Sequence, residues 1–173
     1  MLKMLSTQLT GIFMKIKDKE ELALEDGARL LAQAHAGEGT IYIEGFDEME
    51  GVVLDALKGP EPMRQTARYR ELDELTPADR VLLFSRFSDS PKALDLGRKL
   101  AEHHTPFVSV SAVTREKSEE LSQLADVHID THAIRPILPA EDGSRVVFPS
   151  LITALFIYHA LKVTVDEILS EYE

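Results

Sequence analysis

The sequence contains no cysteine and no tryptophan, and the missing cysteine excludes disulfide bonds and thiolate metal sites. This absence fits a reducing compartment, so we expect a cytoplasmic protein. The longest apolar stretch, Leu151–Leu161, falls short of the ~20 residues that a membrane-spanning helix needs. The N-terminal residues lack the long apolar core of a secretory signal. We therefore expect no membrane partner.

Positive charge is also scarce. Only 19 lysine and arginine residues face 30 aspartate and glutamate residues, which gives a net charge of −11. Nucleic acid and anionic lipid both need a basic footprint, so we expect neither as a partner. The net charge does not exclude a small anionic ligand, because the site for such a ligand needs only a local positive potential. Glycine signatures of the dinucleotide or P-loop kind are missing too, which disfavours a nucleotide among the small anions.

Short apolar segments alternate with helical patterns along the middle of the chain. Ile41–Ile43, Val81–Phe84, Phe107–Val110 and Val127–Ile129 predict buried strands, and Arg64–Tyr69 predicts an edge strand. Alternation at this spacing is typical of βαβ units. The fold class that we expect is α/β: a three-layer α/β/α sandwich with a parallel sheet of about five strands and flavodoxin-like topology.

The first 36 residues have the apolar spacing of helices. Asp18 followed by Glu21 is an N-cap signature, so we expect two helices in this N-terminal extension. No linker or repeat divides the chain. We expect a single domain over residues 1–173.

The C-terminal third predicts three further helices. Lys117–Leu124 is a short one, and a very apolar helix begins at Ser150. Thr164 and Glu167 form a capping box, which predicts a separate final helix. The apolar helix has almost no polar face, so its outer side needs the N-terminal helices or a second copy of the chain as a cover. We expect a homodimer or homotetramer.

Polar side chains gather between the strand Val81–Phe84 and the next helix. Ser85, Arg86, Ser88, Asp89 and Ser90 follow the strand and lead into Pro91. Ligands of open α/β sheets bind at this end of the strands, and the amides of a helix N-terminus favour an anion. The segment therefore predicts an anion-binding loop. The alternative is that the serines only cap the helix and form its turn.

The segment Asp79–Ala112 resembles the core of the sugar isomerase (SIS) domain. That family's pattern is an aspartate, an apolar strand, Ser-x-Ser-Gly-x-Ser/Thr, a helix, and a strand that ends in threonine or serine. Ala125–Ile129 is similar to a later strand of the family, Pro149–Leu161 to its late apolar helix, and Ile41–Gly45 to its first strand. The length and the N-terminal helices resemble single-domain relatives of phosphoheptose isomerase.

The resemblance implies a phosphosugar ligand whose phosphate is held by the serine-rich loop. Ser85 matches the first serine of the family motif and Ser90 the final serine or threonine. Phe87 replaces the second serine, and Ser88 replaces the glycine. Phosphosugar binding by Ser85, Arg86, Ser88, Asp89 and Ser90 is therefore expected by resemblance.

The first strand carries a second part of the implied site. The family has Gly-x-Ser after this strand, and this chain has Gly45-Phe46-Asp47. A carboxylate at Asp47 repels a nearby phosphate unless another group neutralises it.

Isomerisation also needs a base near the sugar carbons. His159 lies on the apolar helix, near the place where phosphoheptose isomerases carry functional histidines, and a histidine titrates near neutral pH. The alternatives are a structural role for His159 and a base among the acidic residues Glu44, Asp47, Glu48 and Glu50. We expect no metal and no cofactor, because His128 and His132 flank a strand end rather than sharing a helical face.

Two functions follow from these patterns. The first is a phosphosugar-binding protein that acts as a sugar-phosphate isomerase of the phosphoheptose type. The second is a non-catalytic phosphosugar sensor or assembly protein that has kept the fold and lost the chemistry, which the altered motifs favour.

Overall fold

A computed structural model describes residues 1–114 and 120–171. Its main sheet has five parallel strands in the order β2-β1-β3-β4-β5. The strands are β1 (Ile41–Gly45), β2 (Thr66–Arg68), β3 (Arg80–Phe87), β4 (Phe107–Ala112) and β5 (Val127–Asp130). A separate antiparallel hairpin pairs β6 (Leu138–Pro139) with β7 (Arg145–Val146). The parallel sheet of five strands, with its short edge strand near Arg64–Tyr69, confirms the predicted sheet.

Helices cover both faces of the sheet. They are α1 (Leu2–Ala36), α2 (Glu50–Lys58), α3 (Pro91–Glu102), α4 (Leu121–Leu124) and α5 (Ser150–Ser170). Helices α1, α2 and α5 form the core on one face, and α3 and α4 form the core on the other. The predicted three-layer α/β/α sandwich is confirmed.

Strand β3 shows why helices pack on both faces of the sheet. Leu82 and Phe84 belong to the core beneath α1, α2 and α5, whereas Val81 and Leu83 belong to the core beneath α3 and α4. Successive side chains of a strand point to opposite faces. An unbroken apolar run therefore fits a central strand that is buried on both sides.

The prediction of two helices in the first 36 residues is wrong, because α1 is a single helix of 35 residues. No proline or glycine interrupts the chain near Asp18, and both Asp18 and Glu21 are exposed on the helix surface. Gly27 lies farther along the same helix, and a β-carbon there would approach Leu161 to 3.3 Å. Continuous packing against α5 therefore outweighs the local capping signal.

The prediction of a separate final helix is also wrong. Helix α5 continues without a break from Ser150 to Ser170, and Thr164 Oγ1 donates a hydrogen bond to the Ala160 carbonyl oxygen at 2.8 Å instead of capping a new helix. Helix α1 covers part of α5, where the rings of Phe13 and Phe156 stack 4.6 Å apart. None of the helices described here is long and apolar enough to cross a membrane.

The short helix predicted for Lys117–Leu124 is observed only in its last turn. Helix α4 comprises Leu121–Leu124, and residues 117–119 lie outside the described residues.

Candidate functional site

The expected binding loop is shorter than its sequence suggests, because β3 continues to Phe87. The pairing of β3 with β4 shifts register between Phe84 and Phe87, and Ser85 lies in this irregular stretch. Ser85 is buried, and its Oγ donates to the Phe87 carbonyl oxygen at 2.7 Å. The first serine of the motif therefore stabilises the end of the strand, and only Ser88 to Ser90 connect β3 to α3.

Ser88 points into the protein, toward a buried carboxylate. Its Oγ donates to Glu120 Oε2 at 2.6 Å, and Thr114 Oγ1 donates to Glu120 Oε1 at 3.0 Å. Only 3% of Glu120 is exposed, and Ser88 is fully buried. Thr114 follows β4 as Ser88 follows β3, so both hydroxyl groups lie at the carboxyl ends of neighbouring strands. The chain's own carboxylate thus accepts a hydrogen bond from Ser88, whose hydroxyl group was expected to bind an anionic ligand.

Arg86 is held by another internal carboxylate. Its Nε and Nη2 each donate to a Glu48 oxygen at 2.7 Å, and Ser150 Oγ donates to Glu48 Oε1 at 2.7 Å. These hydrogen bonds, that from Arg86 first, lower the pKa of Glu48 to about 2. The ion pair joins the end of β3 to the turn after β1 and to the start of α5.

Ser90 stands at the N-cap position of α3, with Pro91 as the first helical residue and Asp89 half-buried before it. The Ser90 side chain makes no capping hydrogen bond. The first amides of a helix have no partner within the helix, and they attract anions together with the helix dipole. Within the predicted loop, Ser90 and the first turn of α3 keep the donors that an anion requires.

Gly45 and Asp47 form the turn after β1. A β-carbon on Gly45 would lie 2.5 Å from the Met49 carbonyl oxygen, so the turn excludes any larger residue there. Asp47 is exposed and has a φ of 54°, the left-handed conformation that aspartate tolerates better than most residues. Gly45 therefore shapes the turn, and the carboxylate of Asp47 is open to solvent.

His159 lies on the outer surface of α5. Its side chain is 61% exposed, and its Nε2 is 3.4 Å from Asp55 Oδ2 on α2. Nine residues separate it from Ser150, which is about 14 Å along a helix. Within one chain the structure does not bring His159 to the serine loop, and a catalytic role for it stays a prediction.

His128 and His132 contact different side chains. His128 Nδ1 is 2.7 Å from Ser109 Oγ, and His132 Nε2 is 2.8 Å from Glu20 Oε1 on α1. These contacts connect β5 and the residues after it to β4 and α1.

A cleft of about 380 Å³ opens between α3 and the ends of β1 and β2. One face of α3 forms a wall, with residues spaced three and four apart as a helix requires. The other wall comes from the residues at the ends of the two strands. The lining residues are Glu44, Phe46, Tyr69, Arg70, Lys92, Asp95, Leu96 and Lys99.

Some of the charged side chains in the cleft are paired and others are not. Lys99 Nζ is 2.7 Å from Asp95 Oδ2, so these two charges pair with each other. Arg70 and Lys92 have no ion-pair partner within residues 1–114 and 120–171. In a chain with a net charge of −11, this is a local positive potential.

Of the four acidic residues near the end of β1, only Glu44 lines the cleft. Glu48 pairs with Arg86, Glu50 forms a two-point ion pair with Arg68, and Asp47 faces solvent. Burial raises the pKa of Glu44, and it also raises the pKa of the Tyr69 hydroxyl group. A half-buried carboxylate and a phenol that line the same cleft can act as a base and an acid in proton transfer.

Sequence reasoning missed Tyr69, Arg70 and Lys92. Tyr69 and Arg70 follow the short edge strand β2, whose residues give a weak local signal. Lys92, Asp95, Leu96 and Lys99 share one face of α3, a spacing that is visible in the sequence. That spacing shows which side chains face together, but it does not show that the end of β2 lies opposite them.

Comparison with solved structures identifies the fold. A candidate phosphosugar isomerase involved in capsule formation from Bacteroides fragilis superposes with a TM-score of 0.74 at 14% identity, over 98% of this chain and 90% of that chain. The sugar isomerase domain of an RpiR transcription factor from Sphaerobacter thermophilus gives 0.59 at 12% identity, over 99% and 96%. The Methanococcus jannaschii protein MJ1247, for which a 3-hexulose-6-phosphate isomerase function has been inferred, gives 0.59 at 13% identity, over 99% and 90%. The chain therefore has the SIS fold, as its motifs predict.

Comparison with other sequences identifies the family. The uncharacterized protein YwjG of Bacillus subtilis (strain 168) is 45% identical over 173 residues, which cover 99% of each chain. The family model described as a domain of unknown function, DUF2529, matches residues 1–169. The chain belongs to the DUF2529 family.

Proposed function

We propose that this protein binds a sugar phosphate in the cleft between α3 and the ends of β1 and β2. The observation that carries the proposal is the pair of cations, Arg70 and Lys92, which have no ion-pair partner in the described part of an otherwise acidic chain. Lys92 lies in the first turn of α3, so the helix amides and the Ser90 hydroxyl group reinforce its charge. These groups bind the phosphate.

The likeness to SIS-fold proteins supports a phosphosugar as the ligand class. The Bacteroides fragilis neighbour is a candidate phosphosugar isomerase, and a 3-hexulose-6-phosphate isomerase function has been inferred for the Methanococcus jannaschii neighbour. Ligands of open parallel sheets bind beyond the carboxyl ends of the strands, where this cleft opens. A heptose phosphate such as sedoheptulose 7-phosphate is the finer proposal, because this chain resembles single-domain phosphoheptose isomerases.

For an isomerisation in this cleft, Glu44 is the base. Its carboxylate removes a proton from the carbon next to the sugar carbonyl group, and the electron pair forms the double bond of an enediol. The Tyr69 hydroxyl group gives its proton to the carbonyl oxygen as the enediol forms, and it takes a proton back from the neighbouring hydroxyl group, whose oxygen becomes the new carbonyl oxygen. Glu44 then returns the proton to the former carbonyl carbon, which completes a transfer without any net change in oxidation state.

A second candidate function is a phosphosugar sensor without turnover. Glu120 accepts a hydrogen bond from Ser88, and Glu48 pairs with Arg86, so two residues of the predicted loop serve the internal structure. His159 does not line the cleft. These observations favour binding without catalysis.

A panel of sugar phosphates distinguishes the two functions. Thermal shift measures binding, because a ligand that binds only the folded state raises the melting temperature. An assay for the isomerised sugar then measures turnover. Binding with turnover that Glu44→Gln abolishes while binding persists supports the isomerase, and binding without turnover supports the sensor. If no sugar phosphate in the panel shifts the melting temperature, the proposed function is wrong.

A further inference from the structure

The α3 wall of the cleft carries its charged side chains in a fixed order. Lys92, Asp95 and Lys99 lie on one face of the helix, three and four residues apart. A helix rises about 1.5 Å per residue, so Asp95 lies about 4.5 Å and Lys99 about 10.5 Å beyond Lys92 along the helix axis. The proposed phosphate position at Lys92 is therefore at one end of the cleft, and Asp95 and Lys99 lie farther along it.

Asp95 and Lys99 form an ion pair that can take a further hydrogen-bond partner. Lys99 Nζ is 2.7 Å from Asp95 Oδ2, and the two side chains are 57% and 60% exposed. This contact uses one of the three N–H donors of the ammonium group and leaves acceptor positions on the carboxylate. A hydroxyl group can therefore accept a hydrogen bond from Lys99 and donate one to Asp95 without breaking the ion pair.

The ion pair faces the opposite wall of the cleft, where Tyr69 lies. Burial raises the pKa of the Tyr69 hydroxyl group, and the Lys99 ammonium group opposes part of that rise. The hydrogen bond to Asp95 raises the pKa of Lys99, and the Tyr69 hydroxyl group adds to this effect. Each group thus lies within electrostatic range of the other across the cleft. A ligand group that contacts the ion pair is therefore inside the cleft.

We propose that Asp95 and Lys99 determine specificity by binding a hydroxyl group on the sugar carbons far from the phosphate. This inference rests on the proposed function, because it takes the phosphate position at Arg70 and Lys92 as its reference. The middle of the ion pair lies about 7.5 Å beyond Lys92 along α3. An extended chain gains about 1.2 Å per bond, so about six bonds cover this distance. The ligand class is therefore sugar phosphates of about four or more carbons, with hydroxyl groups at the end remote from the phosphate.

Four probes separate the phosphate position from the sugar position. Inorganic phosphate reaches the phosphate position alone. Hexyl phosphate adds a six-carbon chain without hydroxyl groups, and fructose 6-phosphate and sedoheptulose 7-phosphate add the hydroxyl groups. Titrations followed by NMR measure affinities from micromolar to millimolar, so weak binding of inorganic phosphate is measured as well.

The double variant Asp95→Ala/Lys99→Ala removes both groups and keeps the net charge, and alanine preserves the helix. We expect it to bind the two sugar phosphates roughly tenfold more weakly, as after the loss of a hydrogen bond to a charged group. Its affinities for inorganic phosphate and hexyl phosphate should not change. The matched control is Lys162→Ala/Asp166→Ala, which removes a pair of the same residue types from α5 and should bind every probe as wild type does. Melting temperatures confirm that both variants are folded.

Three results would overturn this inference and leave the proposed function standing. They are sugar phosphates that bind the cleft variant as tightly as wild type, losses for inorganic phosphate or hexyl phosphate as large as those for the sugar phosphates, and equal losses in the control variant. If neither sugar phosphate binds to wild type, the proposed function fails for these ligands and the inference fails with it.

Discussion

At the scale of single residues, two of the side chains that were expected to hold a ligand, Arg86 and Ser88, are bound by carboxylates of the chain itself. Glu48 accepts from Arg86 and Ser150, and Glu120 accepts from Ser88 and Thr114. Hydrogen bonds to charged groups are stronger than neutral ones, and an unpaired buried charge is costly. These contacts therefore contribute first to the stability of the fold.

The contacts of Glu48 predict a pH dependence. Its pKa in the folded protein is about 2, below the ordinary 4.5, so its contribution is fully present above pH 4.5 and is lost as the pH falls toward 2. We expect Glu48→Gln to lower the free energy of unfolding by about 1–2 kcal/mol at pH 7. The deficit should shrink below pH 4.5 in urea denaturation, and a deficit that is constant from pH 7 to pH 2.5 would contradict this assignment.

Because Ser88 is buried, its substitution tests whether this side chain contributes to stability or to ligand binding. Ser88→Ala removes a hydrogen bond to the Glu120 carboxylate and should cost about 1.5–3 kcal/mol of stability, with no change in affinity for a sugar phosphate. Ser90→Ala is the matched variant, and it should cost little stability because that side chain makes no capping hydrogen bond. Denaturation and calorimetric titration of both proteins check this. Lost affinity in Ser88→Ala at unchanged stability would place Ser88 in the ligand site after all.

At the scale of elements, the strands were predictable and the helix boundaries were not. A short apolar run such as Val81–Phe84 is typical of a strand that is covered on both faces. The capping signals at Asp18 and Thr164, in contrast, lie within continuous helices. A cap contributes about 1 kcal/mol. The packing of α1 against α5 contributes more free energy to folding than one cap does. The sequence does not show which helices pack against each other.

Asp18 tests the continuity of α1. Asp18→Ala should raise the free energy of unfolding by up to about 0.5 kcal/mol, because alanine is the better helix former in a helix interior. Lys19→Ala is the neighbouring control, with a smaller expected change. If Asp18→Ala instead lowers stability by about 1 kcal/mol, measured by denaturant unfolding, Asp18 caps a second helix as its sequence suggests.

At the scale of the whole molecule, the motif predicts a site at the carboxyl ends of the strands, and the proposed cleft lies at those ends but is lined by other side chains. Ser85–Ser90 do lie at the carboxyl end of a central strand. The cleft beside them depends on Tyr69 and Arg70, which reach α3 only because β2 is the edge neighbour of β1. The sequence does not show that the end of β2 lies opposite α3, because these segments are far apart along the chain. The fold was therefore more predictable than the residues that line the cleft.

Homo-oligomerisation stays a prediction at this scale. Helix α1 covers part of α5, but Ile152 and Val163 are 42% and 55% exposed, and Leu2 at the start of α1 is 81% exposed. Apolar side chains of this size on neighbouring surfaces favour association. We expect a dimer or tetramer in light scattering at micromolar concentration, and a monomer under those conditions would contradict the prediction.

The most direct test of the account is calorimetric titration of sedoheptulose 7-phosphate, or of whichever sugar phosphate gives the largest thermal shift, into wild type and the double variant Arg70→Gln/Lys92→Gln. Losing two phosphate contacts should weaken binding by about 2–4 kcal/mol, which is roughly 30- to 1,000-fold. The matched double variant Arg135→Gln/Lys19→Gln has the same net charge and should bind as wild type does. Equal affinities of wild type and the cleft variant would show that the phosphate binds elsewhere, and equal losses in both double variants would show that only net charge matters.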